Sequence, residues 1–344
     1  MDTPQLLDLL PQAAFLVRDG VIAYVNPAAA SCLLEAGTAI RDLLYTGSGE
    51  YETLEGGSLY LQLQLGTALW GAAVTRSESG DLFVLDQPQE DPVLQALSLA
   101  AMELRTPLAG AMHAAETLMP ALTEAPEAAQ MQRSLYQLLR QVSNMSDAAR
   151  YSENPEGTRE LRDICAVLDE IFEKAAALAE RAGVTVRYQG LSQCISCPVD
   201  TERLERAVYN LITNAVKFSD AGAVIEAKLQ QRGKRLSLTV TDSGCGIPAA
   251  LRGSVFSRYR RQPGFEDPRH GLGLGMVLIR AAAAAHGGTV LLETSEAGTS
   301  VTMTFSLSSH GYPLRSPTLR VDYAGSMDHS LVELSEILPP ECYQ

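Results

Sequence analysis

The chain has 344 residues, too many for one ordinary core, and its apolar content of 46% is that of a globular protein of two or three domains. A formal charge of −14 argues against nucleic acid and against docking on an anionic membrane, because both need a basic surface. The nearest candidate for a membrane span, 274–285, is too short and contains Arg280, and the N-terminus is acidic where an export signal is basic. A cytosolic protein is expected.

Residues 1–88 read as a small α/β unit. A short apolar helix at 6–10 precedes two strand-like runs, 14–18 and 21–26, joined at Asp19-Gly20, a strong hairpin signal. An Ala-rich helical stretch follows, then β-patterned runs at 59–65 and 81–85. Two prolines and two acids within 87–92 break the pattern, so 89–92 is assigned as a linker. From 93 to 155 the chain reads as two long helices joined near 120–126. Such a hairpin covers part of its apolar stripe alone, and a second copy would cover the rest as a four-helix bundle. From 159 to 308 the order is helix, two strands, helix, two strands, a glycine-rich stretch, helix, two strands, which predicts an α/β sandwich with helices on one side of a mixed sheet. Beyond 308 a tail of unassigned role carries one short helix at 330–338. The whole is multidomain α+β.

Six cysteines are scattered at 32, 165, 194, 197, 245 and 342, which is not a disulfide framework. Cys194 and Cys197 fall on a short strand at 193–199, where residues three apart face opposite ways, and no second pair or nearby His completes a zinc site.

Three motifs in the C-terminal unit carry chemistry. Asn210-Leu-Ile-Thr-Asn214-Ala-Val-Lys217-Phe218 lies on a helix starting near Asp200, and steps of four and three put Asn210, Asn214 and Lys217 on one face. Amide oxygens suit Mg²⁺ and a lysine suits phosphate, although a solvated face with an incidental pair of Asn is the plainer reading. Asp242-Ser-Gly244-Cys-Gly246-Ile-Pro248 follows a β-patterned run, so a carboxylate at a strand end precedes two glycines that let backbone approach a flat base. A Gly-rich turn is its plainer reading. Gly271-Leu-Gly273-Leu-Gly275-Met276 opens an apolar helix, where free N–H groups can meet phosphate oxygens. The same repeat resembles a dinucleotide fingerprint, but no strand and ribose-binding acid frame it as that fold demands.

In this order the three resemble the N, G1 and G2 boxes of the ATP-binding domain shared by histidine kinases, heat-shock chaperone ATPases, gyrase-type ATPases and mismatch-repair ATPases. Val255-Phe256-Ser-Arg258-Tyr259-Arg260-Arg261 resembles the F box of the histidine kinases, and His286-Gly287-Gly288 matches that branch. Ala101-Met102-Glu103-Leu104-Arg105-Thr106-Pro107-Leu108 resembles the H box of the dimerisation hairpin, and Phe15 to Pro27 resembles a PAS sensor domain. The resemblance to the sensor histidine kinase family covers about residues 1–308. It implies ATP and Mg²⁺ as cofactors, with Asn214 on the metal, Asn210 and Lys217 near the phosphates, Asp242 on the adenine amine, and Gly271, Gly273 and Gly275 in a lid. It also implies a homodimer formed through the hairpin and a response-regulator receiver domain as partner. Gly244, Gly246 and Phe256 join the nucleotide residues, and Asn210, Glu103 and Thr106 the catalytic ones.

The departure is Met102, where the family has its phosphoacceptor histidine. A thioether cannot form the phosphoryl adduct that an imidazole nitrogen forms. His113 lies eleven residues on, about 16 Å further along a helix, with Pro107 between. Glu103 and Thr106 survive; in the family, such an acid and hydroxyl serve kinase chemistry and removal of phosphate from the regulator. The same two residues also suit an ordinary solvent-facing turn. The first reading is a cytosolic sensor histidine kinase homologue that binds ATP with Mg²⁺ and signals to a response regulator without phosphorylating itself at the usual position. The alternatives are a response-regulator phosphatase using Glu103 and Thr106, a non-catalytic ATP-responsive scaffold, and a kinase acting on a partner's histidine. No His precedes His113, which excludes a His-ligated haem in the N-terminal unit.

Overall fold

The structure, a computed structural model, describes residues 7–32, 34–86, 92–119, 126–248, 255–256, 273–307 and 327–343. Most of the expected linker, the connection between the two long helices, Gly271 and residues 258–261 lie outside them.

The N-terminal unit opens with β1 (Ala14–Arg18) and β2 (Val21–Val25), joined where Asp19 and Gly20 take φ of 51° and 74°. Two successive left-handed residues are what a two-residue hairpin turn requires. A short α1 (Pro27–Ala30) and α2 (Ser48–Glu52) lead to β3 (Ser58–Leu65), β4 (Ala68–Ser77) and β5 (Gly80–Asp86). Asn26 is buried and serves two ends: its Oδ1 accepts from Ala29 N at 2.8 Å, capping α1, and from Ala14 N at 3.0 Å. Phe15 and Phe83 stack at 4.8 Å in the core. Strand β4 was not expected, because Gly71 and its alanines dilute the β pattern. Pairing on both sides supplies what propensity lacks, and Gly71 makes room for Tyr60, whose hydroxyl would lie 1.8 Å from a Cβ there.

Helices α3 (Pro92–Leu118) and α4 (Pro126–Glu153) form the long hairpin, and α3 continues through Pro107. Then come β6 (Glu160–Asp163), α5 (Ile164–Arg181), β7 (Thr185–Gln189), β8 (Ser196–Val199), α6 (Thr201–Lys217), β9 (Val224–Arg232), β10 (Arg235–Thr241), α7 (Gly275–Ala285), β11 (Val290–Ser295) and β12 (Gly298–Ser306). Strand β6 is an addition to the expected order; among the described residues it pairs only with β8, forming a two-stranded sheet. Cys197 is buried on β8, whereas Cys194 is exposed ahead of it.

The expected C-terminal sheet is mixed: β7 runs parallel to β9 and the remaining pairs are antiparallel. It does not end at β11. Residues 58–60 of β3 pair with 290–292 of β11, giving one ten-stranded sheet in the order β2-β1-β5-β4-β3-β11-β12-β10-β9-β7. Arg280 of α7 holds the seam: it lies over the Tyr60 ring at 4.4 Å and pairs with Asp86 at 2.7 Å. Across the hairpin, Leu274, which caps α7, and Val277 and Leu278 of α7 pack with Leu94 of α3 and with Ala148 and Tyr151 of α4.

The tail docks. Helix α8 (His329–Glu333), shorter than the expected 330–338, and the following turn bury Val332, Leu334 and Leu338 against α4, α5 and α6. Tyr343 closes the segment, edge-on to Tyr136 of α4 at 4.9 Å. Among the described residues no helix is long and apolar enough to cross a membrane.

Candidate functional site

Helix α6 begins at Asp200, whose Oδ1 accepts from Arg203 N at 3.1 Å and whose Oδ2 accepts from Thr158 N at 2.9 Å. Those bonds satisfy two orphan amides, one of them in the helix's first turn. Most of the helix is buried, yet Asn210, Asn214 and Lys217 line the face away from the sheet. Asn210 is only 3% exposed: its Oδ1 accepts from Arg140 of α4 at 3.2 Å and its Nδ2 donates to Arg206 O at 2.8 Å. Gly275, the first residue of α7, sits directly against it, since a Cβ there would lie 2.9 Å from Asn210 Oδ1. Asn214 is half-buried, and its side chain makes no hydrogen bond to another described residue. Lys217 forms an ion pair with Glu336 of the tail.

At the end of β10, Asp242 Oδ1 accepts from Gly244 N at 2.9 Å and Thr299 N at 3.1 Å, which leaves Oδ2 without a described partner. Burial pushes its carboxyl above the usual range against the pull of those two amides. The turn after it is anchored to the end of α6. A Cβ on Gly244 would lie 2.1 Å from Phe218 O, and one on Gly246, where φ is 65°, 1.9 Å from Ser295 O. Glycine is needed at both places because chain packs on chain. Gly273 takes φ of 73° in open space, as suits a turn into a helix.

The sequence grouped Phe256 with the nucleotide residues. In the structure its ring is buried against Tyr60 at 5.9 Å, and its carbonyl accepts from Arg280. It therefore belongs to the seam with the N-terminal unit. Met102, 66% exposed, lies on α3 with Glu103, Thr106 and His113, all open to solvent. No contact among the described residues joins them to the Asn210–Lys217 face.

Sequence reasoning missed the charges packed on that face. Arg206 is fully enclosed; it pairs with Asp147 of α4 at 2.7 Å, donates to Asn144 Oδ1 at 2.8 Å, and pairs with Glu333. Arg140 reaches Glu333 at 3.4 Å and Glu336 at 3.1 Å. Burial would raise the Glu336 carboxyl, but Arg140 and Lys217 outweigh it and hold it below its ordinary value. A signal existed: Arg206 stands four residues before Asn210, hence on the same face. An open cleft of about 440 Å³ elsewhere, lined by Asp169, Phe172 and Tyr188, contains none of the motif residues.

Residues 199–309 match the family described as histidine kinase-, DNA gyrase B- and HSP90-like ATPase. The chain is 30% identical over 205 residues to the sensor histidine kinase TmoS of Ectopseudomonas mendocina, covering 57% of this chain and 21% of that protein. It is 30% identical over 235 residues to the sensor protein KdpD of Escherichia coli, covering 66% and 26%. A third similarity, to the sensor protein RstB of Escherichia coli, is 30% over 205 residues and covers 59% and 46%. The chain thus spans about a fifth to a quarter of the length of TmoS and KdpD. Among solved structures, full-length ShkA in complex with AMPPNP is similar in fold, with a TM-score of 0.51 at 22% identity, over 62% of this chain and 46% of that one. The C-terminal unit is a sensor-histidine-kinase-like ATPase domain.

Proposed function

We propose that this chain is a sensor histidine kinase homologue that binds ATP with Mg²⁺ on the Asn210–Lys217 face and signals to a response regulator without phosphorylating itself at the usual position. The carrying observation is the half-buried Asn214 amide, without a described partner, set between an amide and a cation inside the segment that matches the ATPase family. The donor set fits a metal-bridged triphosphate. Carboxylates of Glu333 and Glu336 already rest on the cations around this face, so it accepts anionic oxygens. Asn214 would hold the Mg²⁺, Asn210 and Lys217 would meet phosphate oxygens, and the spare Oδ2 of Asp242 would accept from the adenine amine. The glycines at 271, 273 and 275 would shape the cover over the nucleotide.

The hairpin would form the homodimer, and exposed Leu99, Leu104, Leu118, Met131 and Leu138 are the apolar surface offered to a second copy. The N-terminal unit would be the PAS-like sensor. Met102 removes the nucleophile, whereas Glu103 and Thr106 stay exposed where a receiver domain can reach them. That exposure favours a second reading, dephosphorylation of the regulator.

One assay separates the possibilities. With labelled ATP and Mg²⁺ the chain should carry no acid-labile label. Added phosphorylated receiver domain should decay faster, and Thr106→Ala should abolish that acceleration. Unchanged decay would leave a scaffold that binds ATP. Asn214→Ala should lose nucleotide affinity by at least about 10²-fold, by analogy with removal of a metal-site partner; full affinity in that variant removes the metal assignment.

A further inference from the structure

We propose that residues 327–343 are a built-in competitor for the nucleotide face, a strap that Mg²⁺–nucleoside triphosphate must displace. The inference rests on the assignment of that face to ATP and adds what occupies it beforehand.

The segment is built to stay in place yet carries the wrong charges for an ordinary core. Val332, Leu334 and Leu338 have no exposed surface. Glu333, equally enclosed, lies between the guanidinium groups of Arg206 and Arg140, and its carbonyl accepts from Thr213 Oγ1 at 3.4 Å. Gln137 donates to Ser335 O at 2.9 Å. Glu336 completes the set, joining Arg140 of the hairpin to Lys217 of α6. A carboxylate is costly to bury unless paired, so these acids and bases act as a unit.

Two consequences bear on a polyphosphate. First, Lys217 is already neutralised: an anion approaching Asn214 meets the carboxylate of Glu336 before it meets a free ammonium. Second, Arg140, which also holds the oxygen of Asn210, is tied to the tail at two carboxylates. Phosphate oxygens and tail carboxylates therefore compete for the same donors, and a ligand that favours one of two arrangements shifts the balance by its difference in affinity. Because the strap bridges α4 and α6, releasing it also loosens the hairpin from the ATPase domain. The coupling is reciprocal: nucleotide weakens strap docking by the factor by which docking weakens nucleotide.

The test uses the full chain with a fluorescent adenine nucleotide and Mg²⁺. Glu336→Gln keeps the size of a side chain at the edge of the network while removing its charge. It should tighten nucleotide binding by roughly tenfold, within the usual range for such coupling. In the wild type, addition of ATP and Mg²⁺ should speed hydrogen exchange at amides 330–338. Equal affinities with exchange unchanged or slowed would make the tail a permanent prop and overturn the competitor, leaving the ATP site intact. Absence of binding to both proteins would remove the ATP site and the competitor together. Binding to Glu336→Gln alone would support both.

Discussion

His286 is buried between α7 and the start of α6. Its Nε2 accepts from the amide of Asp200 at 3.0 Å, so the proton must sit on Nδ1, which donates to Ala282 O at 2.7 Å. Burial pushes its pKa down to about 4. An unfolded histidine takes up a proton near pH 6.5, and the folded one does not until near 4. Stability is therefore complete above pH 6.5 and declines as pH falls towards 4, with a slope of at most about 1.4 kcal/mol per pH unit from this group. Urea midpoints measured across that window should fall more steeply for wild type than for His286→Gln; parallel curves would show that the ring titrates freely. At Asp242 the structure separates two roles within one carboxylate, since Oδ1 holds the turn and Oδ2 faces no described donor. Asp242→Asn keeps an acceptor for the turn, yet its NH₂ cannot accept from an adenine amine. It should weaken adenine nucleotide binding by about 1.5–3 kcal/mol, the worth of a hydrogen bond to a charged group, with little change in stability.

Turns between elements tolerate less than their exposure suggests. Gly244→Ala drives a Cβ to 2.1 Å from the Phe218 carbonyl that ends α6, and Gly246→Ala meets Ser295 O at 1.9 Å with φ at 65° besides. Each should destabilise by about 2 kcal/mol or more, because backbone has to give way. Gly273→Ala is the contrast, with φ of 73° and open space, so only the left-handed cost of about 1–2 kcal/mol applies. Thermal melts of the three variants check the order; a Gly244→Ala protein as stable as wild type would mean that α6 and the turn are not pinned together.

For the whole molecule the question is whether the N-terminal sheet is a passenger or a partner. Pairing of β3 with β11 makes the two sheets one, and Arg280 spans the seam from the helix that begins beside Asn210. Its guanidinium is buried over Tyr60 and bonded to the carbonyl of Phe256. Arg280→Met keeps the apolar contact with Tyr60 but leaves Asp86 without this cation, so it should weaken the seam selectively. The expected outcome is a split of one unfolding transition into two, with faster hydrogen exchange along 58–60 and 290–292. A single unchanged transition would make the sheet contact incidental.

Much of this was written locally in the sequence. Asp19-Gly20 fixed a hairpin because only residues tolerant of positive φ turn so tightly, and the four-and-three spacing of Asn210, Asn214 and Lys217 set one helical face whatever packs on it. The two long helices and, apart from β6, the C-terminal strand and helix order followed from the same short-range signals. What tertiary structure alone decided lies between distant segments. Arg206 looked like one more helical charge until Glu333, 127 positions later, lay against it, and Arg140 meets the same acid 193 positions away. No local window contains such a pair, and the apolar pattern of β4 is too thin to announce a strand until two neighbours supply its hydrogen bonds. The glycines at 244 and 246 declared a close approach to a flat base, but not the backbone of Phe218 and Ser295 that the fold sets against them. Side-chain chemistry and periodicity are properties of the chain itself, whereas the partner that satisfies a buried charge exists only once the chain has folded back on itself.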